Sequence, residues 1–307
     1  MHGIAIDGSS TVKESTNMTK RAECLVDCKN TLGESVFCDP RDNCIYWTDI
    51  EQARIYKLDE IGRVHQFDLP QPAAFILPRR RPGFVLGFLD RIVSSNADMT
   101  QFDTLAVVEP DLPQTRVNDA TVDHQGGIVF GTMDNRDWKP AGSFYRLDPS
   151  GRLEKLLNGI TVSNGLAISA DGAVLYLTDT RDGAIRRFSL TNGFANWREL
   201  TPLADRDIAP GGPDGAKLDV EGCYWSARAF GGCVVRISAD GKLIEQIELD
   251  VKGPTCLAFG GPDMMTLYIT TLRLRHTPEE LEAAPTAGGL YTCRVGVPGL
   301  PVRLALL

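Results

Sequence analysis

Four oxygen-bearing side chains recur in one register along this chain. Counting back eight positions from the turn residues Asp42, Gly126, Gly172, Gly222 and Asp263 reaches Glu34, Asn118, Asn164, Asp214 and Thr255. Two carboxylates and two amides with inward carbonyls form an all-oxygen donor set, which suits a hard or borderline divalent cation completed by water, such as calcium, magnesium or manganese. The bland alternative is that each bonds a backbone amide at a strand start, as Asn and Asp do in turns. Four such residues in register favour a shared site. The four histidines, His2, His65, His124 and His276, have no metal-ligand spacing, which argues against a His-rich zinc site. No G-x-S-x-G elbow, phosphate-binding G-x-x-x-x-G-K-[ST] loop or dinucleotide-binding G-x-G-x-x-G is present.

What must position these residues is a repeat. An aromatic, any residue, then Thr or Ser occurs as Tyr46-Trp47-Thr48, Phe130-Gly131-Thr132, Tyr176-Leu177-Thr178, Tyr224-Trp225-Ser226 and Tyr268-Ile269-Thr270. The gaps between aromatics are 84, 46, 48 and 44 residues, so the first spans two periods and hides a degenerate copy. Periods of this length, made of short apolar runs between Gly/Asp turns, predict propeller blades. The fold class is therefore all-β, a six-bladed β-propeller with a central metal site, in which the counted positions converge on the channel. In the degenerate second blade, at about 70–110, the counted position is Phe75, which offers no ligand.

Residues 1–20 are polar and aperiodic and read as a disordered, vector-derived leader with Met18 as a native start; residues 21–307 form the propeller. Blade one is expected over about 33–59, and blade three over about 116–157 with a polar excursion at 134–141. Residues 22–27 alternate like a strand and should pair with the last blade to close the ring. Thr277-Pro278-Glu279-Glu280 carries a capping box and predicts a short helix over 278–284, either an ordinary surface helix or a lid.

The net charge of −8 argues against a nucleic-acid partner, and Arg79-Arg80-Arg81 reads as a solvated turn. No apolar run reaches membrane-spanning length and no signal-peptide layout is present, so the expected location is cytoplasmic, with no membrane partner. The eight cysteines form no C-x-x-C pair and read as reduced thiols.

Leu32-Gly33-Glu34-Ser35, Arg116-Val117-Asn118-Asp119, Gly131-Thr132-Met133, Ser163-Asn164-Gly165-Leu166 and Pro213-Asp214-Gly215 resemble, in order and spacing, the motifs of the senescence marker protein/regucalcin and gluconolactonase family. Gly260-Gly261-Pro262-Asp263 with Thr266-Leu267-Tyr268 resembles its last blade. The resemblance covers everything after the leader. It implies a six-bladed propeller that hydrolyses sugar lactones with one divalent cation, held by Glu34, Asn164 and Asp214, while Arg116 and Asn118 hold the substrate. Neither motif nor donor set distinguishes calcium, magnesium, manganese, zinc or iron. One departure stands out: where regucalcin-type relatives place a substrate-contacting Glu, this chain has Arg136. A fork of donors replaces acceptors there, so Arg136, with Trp138 nearby, is expected to bind substrate and tune which lactone is preferred.

The chemistry is coherent with that resemblance. Opening a lactone needs a polarised carbonyl, an activated water and stabilisation of the oxyanion, all of which a bound cation can assist. Asp214 is the candidate general base, or a ligand alone. Arg116 would clamp ring oxygens or the oxyanion, or instead pair with Asp119. Trp47 and Trp225 read as blade packing. The expected activity is metal-dependent hydrolysis of a pentono- or hexonolactone, such as glucono-, arabinono- or xylonolactone, to the aldonic acid by a monomer or small homo-oligomer. The alternatives are a lactonase or esterase for more apolar substrates and a non-catalytic metal-binding or interaction propeller.

Overall fold

The computed structural model of the protein describes residues 20–307. The expected leader, apart from Lys20, lies outside the described residues. Six sheets follow one another along the chain, each an up-and-down set of four antiparallel strands. Their inner strands are Gly33–Cys38, Ala73–Pro78, Thr115–Val122, Ser163–Ile168, Gly212–Leu218 and Pro254–Gly260. Each inner strand packs beside that of the next blade, and the sixth packs beside the first, so the ring is closed.

Closure is achieved as expected: Glu23–Val26 is the outermost strand of blade six, antiparallel to Leu290–Arg294. An addition the alternation did not announce is Lys20–Arg21, which runs parallel to the edge of blade five through Ile247 and Glu248. Blade one extends beyond 59 to a fourth strand, Val64–Asp68. That strand is mostly exposed and polar, so it lacks the apolar signature that marks the others. Blade three likewise reaches Ile160.

Blades cohere because their second strands are covered on both faces; Ile45–Asp49, Ile128–Asp134 and Tyr224–Ala229 are buried throughout. Trp47 and Trp225 are fully buried blade-packing residues, donating their indole N–H groups to Asn30 and Asp219 at 2.9 Å. Truncating either to Ala is expected to cost about 3–5 kcal/mol, from lost burial and the cavity left behind. Polar staples add to the apolar packing. The Asp219 carboxylate caps its own turn through the N–H groups of Glu221 and Cys223, and also accepts from Trp225 and Arg236.

After Arg294 the chain crosses one end of the channel. Leu300 N–H donates to Leu218, Ala305 N–H to Pro78 and Leu306 N–H to Gly126, so this tail ties blades five, two and three together. The capping-box helix spans Pro278–Ala283, with both reciprocal bonds between Thr277 and Glu280 formed. Its residues do not line the large cavity described below; Leu272, Leu274 and Arg275, just before it, do. No helix among the described residues is long and apolar enough to cross a membrane.

Candidate functional site

All six inner strands carry a register irregularity at the same place. It falls between Glu34 and Phe37, Ala73 and Phe75, Val117 and Ala120, Asn164 and Ala167, Pro213 and Ala216, and Pro254 and Leu257. An extra residue in one strand bends it and re-aims a side chain. The counted residues sit at or inside these bulges, which is the structural meaning of their shared register. At two of them the backbone turns left-handed, with φ of 52° at Ser35 and 66° at Gly165. A Cβ on Gly165 would lie 2.5 Å from the Tyr224 hydroxyl, so only glycine fits there.

Glu34, Asn118, Asn164 and Asp214 line one cavity of about 1060 Å³, together with Arg116. The two other counted positions do not reach it. Thr255 is fully buried, with its hydroxyl spent on the Gly33 carbonyl and on Thr270, and Phe75 is core. A directional relay links the amides. Arg116 Nη1 donates to Asn118 Oδ1 at 2.6 Å, Asn118 Nδ2 to Asn164 Oδ1 at 3.1 Å, Asn164 Nδ2 to Thr180 Oγ1 at 2.8 Å, and Thr180 Oγ1 to the Pro213 carbonyl at 2.8 Å. Three consecutive blades are thereby tied up to the residue preceding Asp214. Arg116 also donates from Nε to Asn135 Oδ1 at 3.1 Å, and it makes no ion pair with Asp119. Asp119 instead accepts the N–H groups of Ala120 and Leu166.

The electrostatics are those of an acid pair held out of bulk water. Burial raises the Asp214 carboxyl well above the usual carboxylate range, with Glu34 and Asp119 adding to the effect. Burial likewise raises Glu34, reinforced by Asp119; what surface Glu34 retains faces the cavity it lines. Neither carboxylate accepts a hydrogen bond from any side chain among the described residues, and only the Ser35 N–H donates to Glu34. The negative charge of Glu34, Glu51 and Asp214 offsets part of the burial cost of the Arg116 guanidinium.

This donor set fits a hard divalent cation: two carboxylates that form no ion pair within 4 Å among the described residues, an amide oxygen and no thiol or imidazole in the cavity lining. Among the described residues no three His, Cys, Asp or Glu side chains come together as metal ligands, so a cation here would rely on amide oxygen as well.

Arg136 does not line the cavity; it is exposed. The reason is local. The buried Asp134 carboxylate accepts the N–H groups of Arg136, Asp137 and Lys139, and the resulting turn brings Asn135 and Trp138, rather than Arg136, into the lining. Thr180, Glu51, Arg181, Arg206 and Arg275 line it too and were not anticipated. Thr180 lies two residues past the repeated Tyr176-Leu177-Thr178, a position the repeat itself could have flagged.

Residues 32–273 match the family model described as the SMP-30/gluconolactonase/LRE-like region. The chain is 35% identical over 291 residues to a 6-deoxy-6-sulfogluconolactonase of Pseudomonas putida, covering 92% of this chain and 97% of that one. It is 32% identical to a pentonolactonase of Haloferax volcanii, over 80% of this chain and 84% of the relative. A crystal structure described as the calcium-binding protein regucalcin from Agrobacterium tumefaciens superimposes with a TM-score of 0.87 at 27% identity, covering 93% of this chain and 97% of the other. The chain belongs to the SMP-30/gluconolactonase/LRE-like family.

Proposed function

We propose, from that family membership and the chemistry of the cavity, that the protein is a hydrolase that opens sugar lactones to aldonic acids with the help of one divalent cation. The observation that carries this reading is the convergence of Glu34, Asn164 and Asp214 beside the Arg116–Asn118 pair in a single cavity. Relatives named as lactonases support the reaction class, and the neighbour described as a calcium-binding protein supports a divalent cation.

Glu34, Asn164 and Asp214 would hold that cation, which when bound supplies Lewis-acid polarisation of an ester carbonyl and acidifies water. The remaining work falls to the chain's own groups. Asp214 accepts the proton of the attacking water on a carboxylate oxygen. Arg116, oriented by Asn135 and Asn118, donates to the lactone oxygens and to the oxyanion as it forms. Asn118 is held in register by donating both Nδ2 hydrogens, to the Ser163 carbonyl and Asn164 Oδ1, which leaves the second lone pair of its Oδ1, beside Arg116, to accept from a ring hydroxyl. The lining mixes these amides, carboxylates and guanidiniums with apolar residues such as Leu32, Met133 and Phe230, and the convergent polar groups are what suit a polyhydroxylated substrate.

The test is proton release over a panel of pentono- and hexonolactones, using metal-stripped protein with individual cations restored and spontaneous opening subtracted. Cation-dependent opening of at least one sugar lactone is expected. Cation binding without any lactone opening would instead identify a non-catalytic metal-binding propeller.

A further inference from the structure

Outward from the buried carboxylates, the cavity is lined by three exposed arginines, Arg181, Arg206 and Arg275. Among the described residues none of the three is in an ion pair. The lining also holds two further carboxylates, Glu51 and Asp207, so the outer part retains a surplus of positive charge.

Trp138 organises that charge. The guanidinium carbon of Arg275 lies 3.9 Å from its ring centroid and that of Arg181 lies 4.6 Å away. Cation–π contacts of this kind are weak at exposed sites, enough to restrict two long side chains but little more. The platform itself is fixed by the Asp134 turn. Trp138 and Arg275 both have left-handed backbones, with φ of 57° and 65°, a conformation that bulky residues keep only where their surroundings impose it. Two like charges gathered on one ring repel each other, and Arg181 makes Arg275 a slightly weaker base in addition to the effect of burial. An anion seated between them would offset that repulsion and accept from both planar forks. The cavity, at about 1060 Å³, has room for such a group beyond the ring of a lactone placed at Glu34, Asn164 and Asp214.

We infer that Arg181 and Arg275, gathered on Trp138, together with Arg206 elsewhere in the same lining, form a subsite for an anionic substituent, so that the substrate is a sugar lactone bearing a sulfonate, phosphate or carboxylate at the end far from its ester. This inference rests on the lactonase reading above for the placement of the ester. It adds a specificity determinant made of residues outside the family motifs.

The cation-loaded protein is assayed with D-glucono-1,5-lactone against its 6-phospho and 6-deoxy-6-sulfo counterparts and against D-glucaro-1,4-lactone, which separates the three anions. KM for at least one charged lactone is expected about tenfold below that of the neutral one, and the gap should narrow as salt is raised from about 0.05 to 0.5 M. In the Arg181→Gln/Arg275→Gln double variant the ratio of the two KM values should fall toward one. Calorimetric binding of 6-phosphogluconate, 6-deoxy-6-sulfogluconate and glucarate, each against gluconate, gives a readout that needs no turnover, and the same preference, lost in the double variant, is expected. Equal KM values for charged and neutral lactones, or a preference that survives in the double variant, would overturn the subsite and leave the lactonase reading standing. No turnover of any lactone combined with arginine-dependent binding of a charged acid would overturn the lactonase reading and retain the subsite. No turnover combined with equal binding of all the acids would overturn both.

Discussion

Asn118 Nδ2 lies 3.1 Å from Asn164 Oδ1, joining the inner strands of blades three and four at the bulges that aim both residues into the cavity. The orientation of each amide follows from its neighbours. Asn118 Oδ1 faces a guanidinium, and Asn164 Nδ2 faces the Thr180 hydroxyl, so the Asn164 oxygen is the end turned toward Asn118.

Breaking the head of this relay should harm chemistry far more than folding. Arg116→Ala and Asn118→Ala are each expected to lower kcat/KM by about a hundredfold, the usual scale for removing one preorganised donor. The side-chain partners left behind, Asn135, Asn118 and Asn164, line the cavity and can be rehydrated, so melting temperatures should fall by only a few degrees. A variant that melts far below wild type with its specific activity intact would make that residue structural.

On the proposed reading, metal-stripped protein holds the Glu34 and Asp214 carboxylates against each other, and the cation would offset that repulsion and stabilise the fold by mass action. At a concentration one hundred times Kd the gain is about 2.7 kcal/mol, readable as a rise in melting temperature. Asp214→Asn should lose most of this rise and most of the turnover, yet its metal-stripped form should melt no lower than metal-stripped wild type. Near-wild-type activity in this variant would remove Asp214 as the base.

Asp219 is fully buried and holds Arg236 at 2.7 Å and Trp225 at 2.9 Å within blade five. Asp219→Ala leaves Arg236 with only its more exposed partner Glu221 and strips the acceptor from the Trp225 indole N–H and from the Cys223 N–H, a loss of about 3–5 kcal/mol. Chemical denaturation should show a loss of this size, whereas Arg294→Ala, which breaks the exposed pair with Asp263, should show little. Comparable losses in the two variants would contradict the staple role.

Arg136 is outside the cavity and Trp138 is part of its lining. Arg136→Ala and Arg136→Glu are therefore expected to keep the wild-type rank order over a lactone panel, while Trp138→Ala alters it. A reordered panel in the Arg136 variants would show that this loop rearranges on binding substrate.

Much of this was legible because local chemistry announces itself. Turn residues and aromatic phrases mark blades at a constant period, and a capping box marks a helix that the fold does form. The strand at 23–26 alternates because only one of its faces meets the ring. Glu34, Asn118, Asn164 and Asp214 were legible through their register, since equivalent blade positions are related by rotation about one axis. The polar fourth strand of blade one was not legible, because an exposed strand carries no apolar signal. Arg136 was misplaced because a one-residue shift within an Asp-nucleated turn decides which side chain enters a cavity, and composition does not encode that shift.

By itself, then, the sequence determined the repeat, the all-β class, the closing strand and the chemical types of the four residues aimed at the channel; these depend on spacing and on short-range turn and strand preferences. Only the tertiary structure decided that bulges on all six inner strands re-aim those positions and that Thr255 spends its hydroxyl on its own ring. It alone supplied the Thr180 link and brought Arg181 and Arg275, ninety-four residues apart, onto one tryptophan. Those relationships arise from ring closure, which juxtaposes blades whose separation along the chain says nothing about distance.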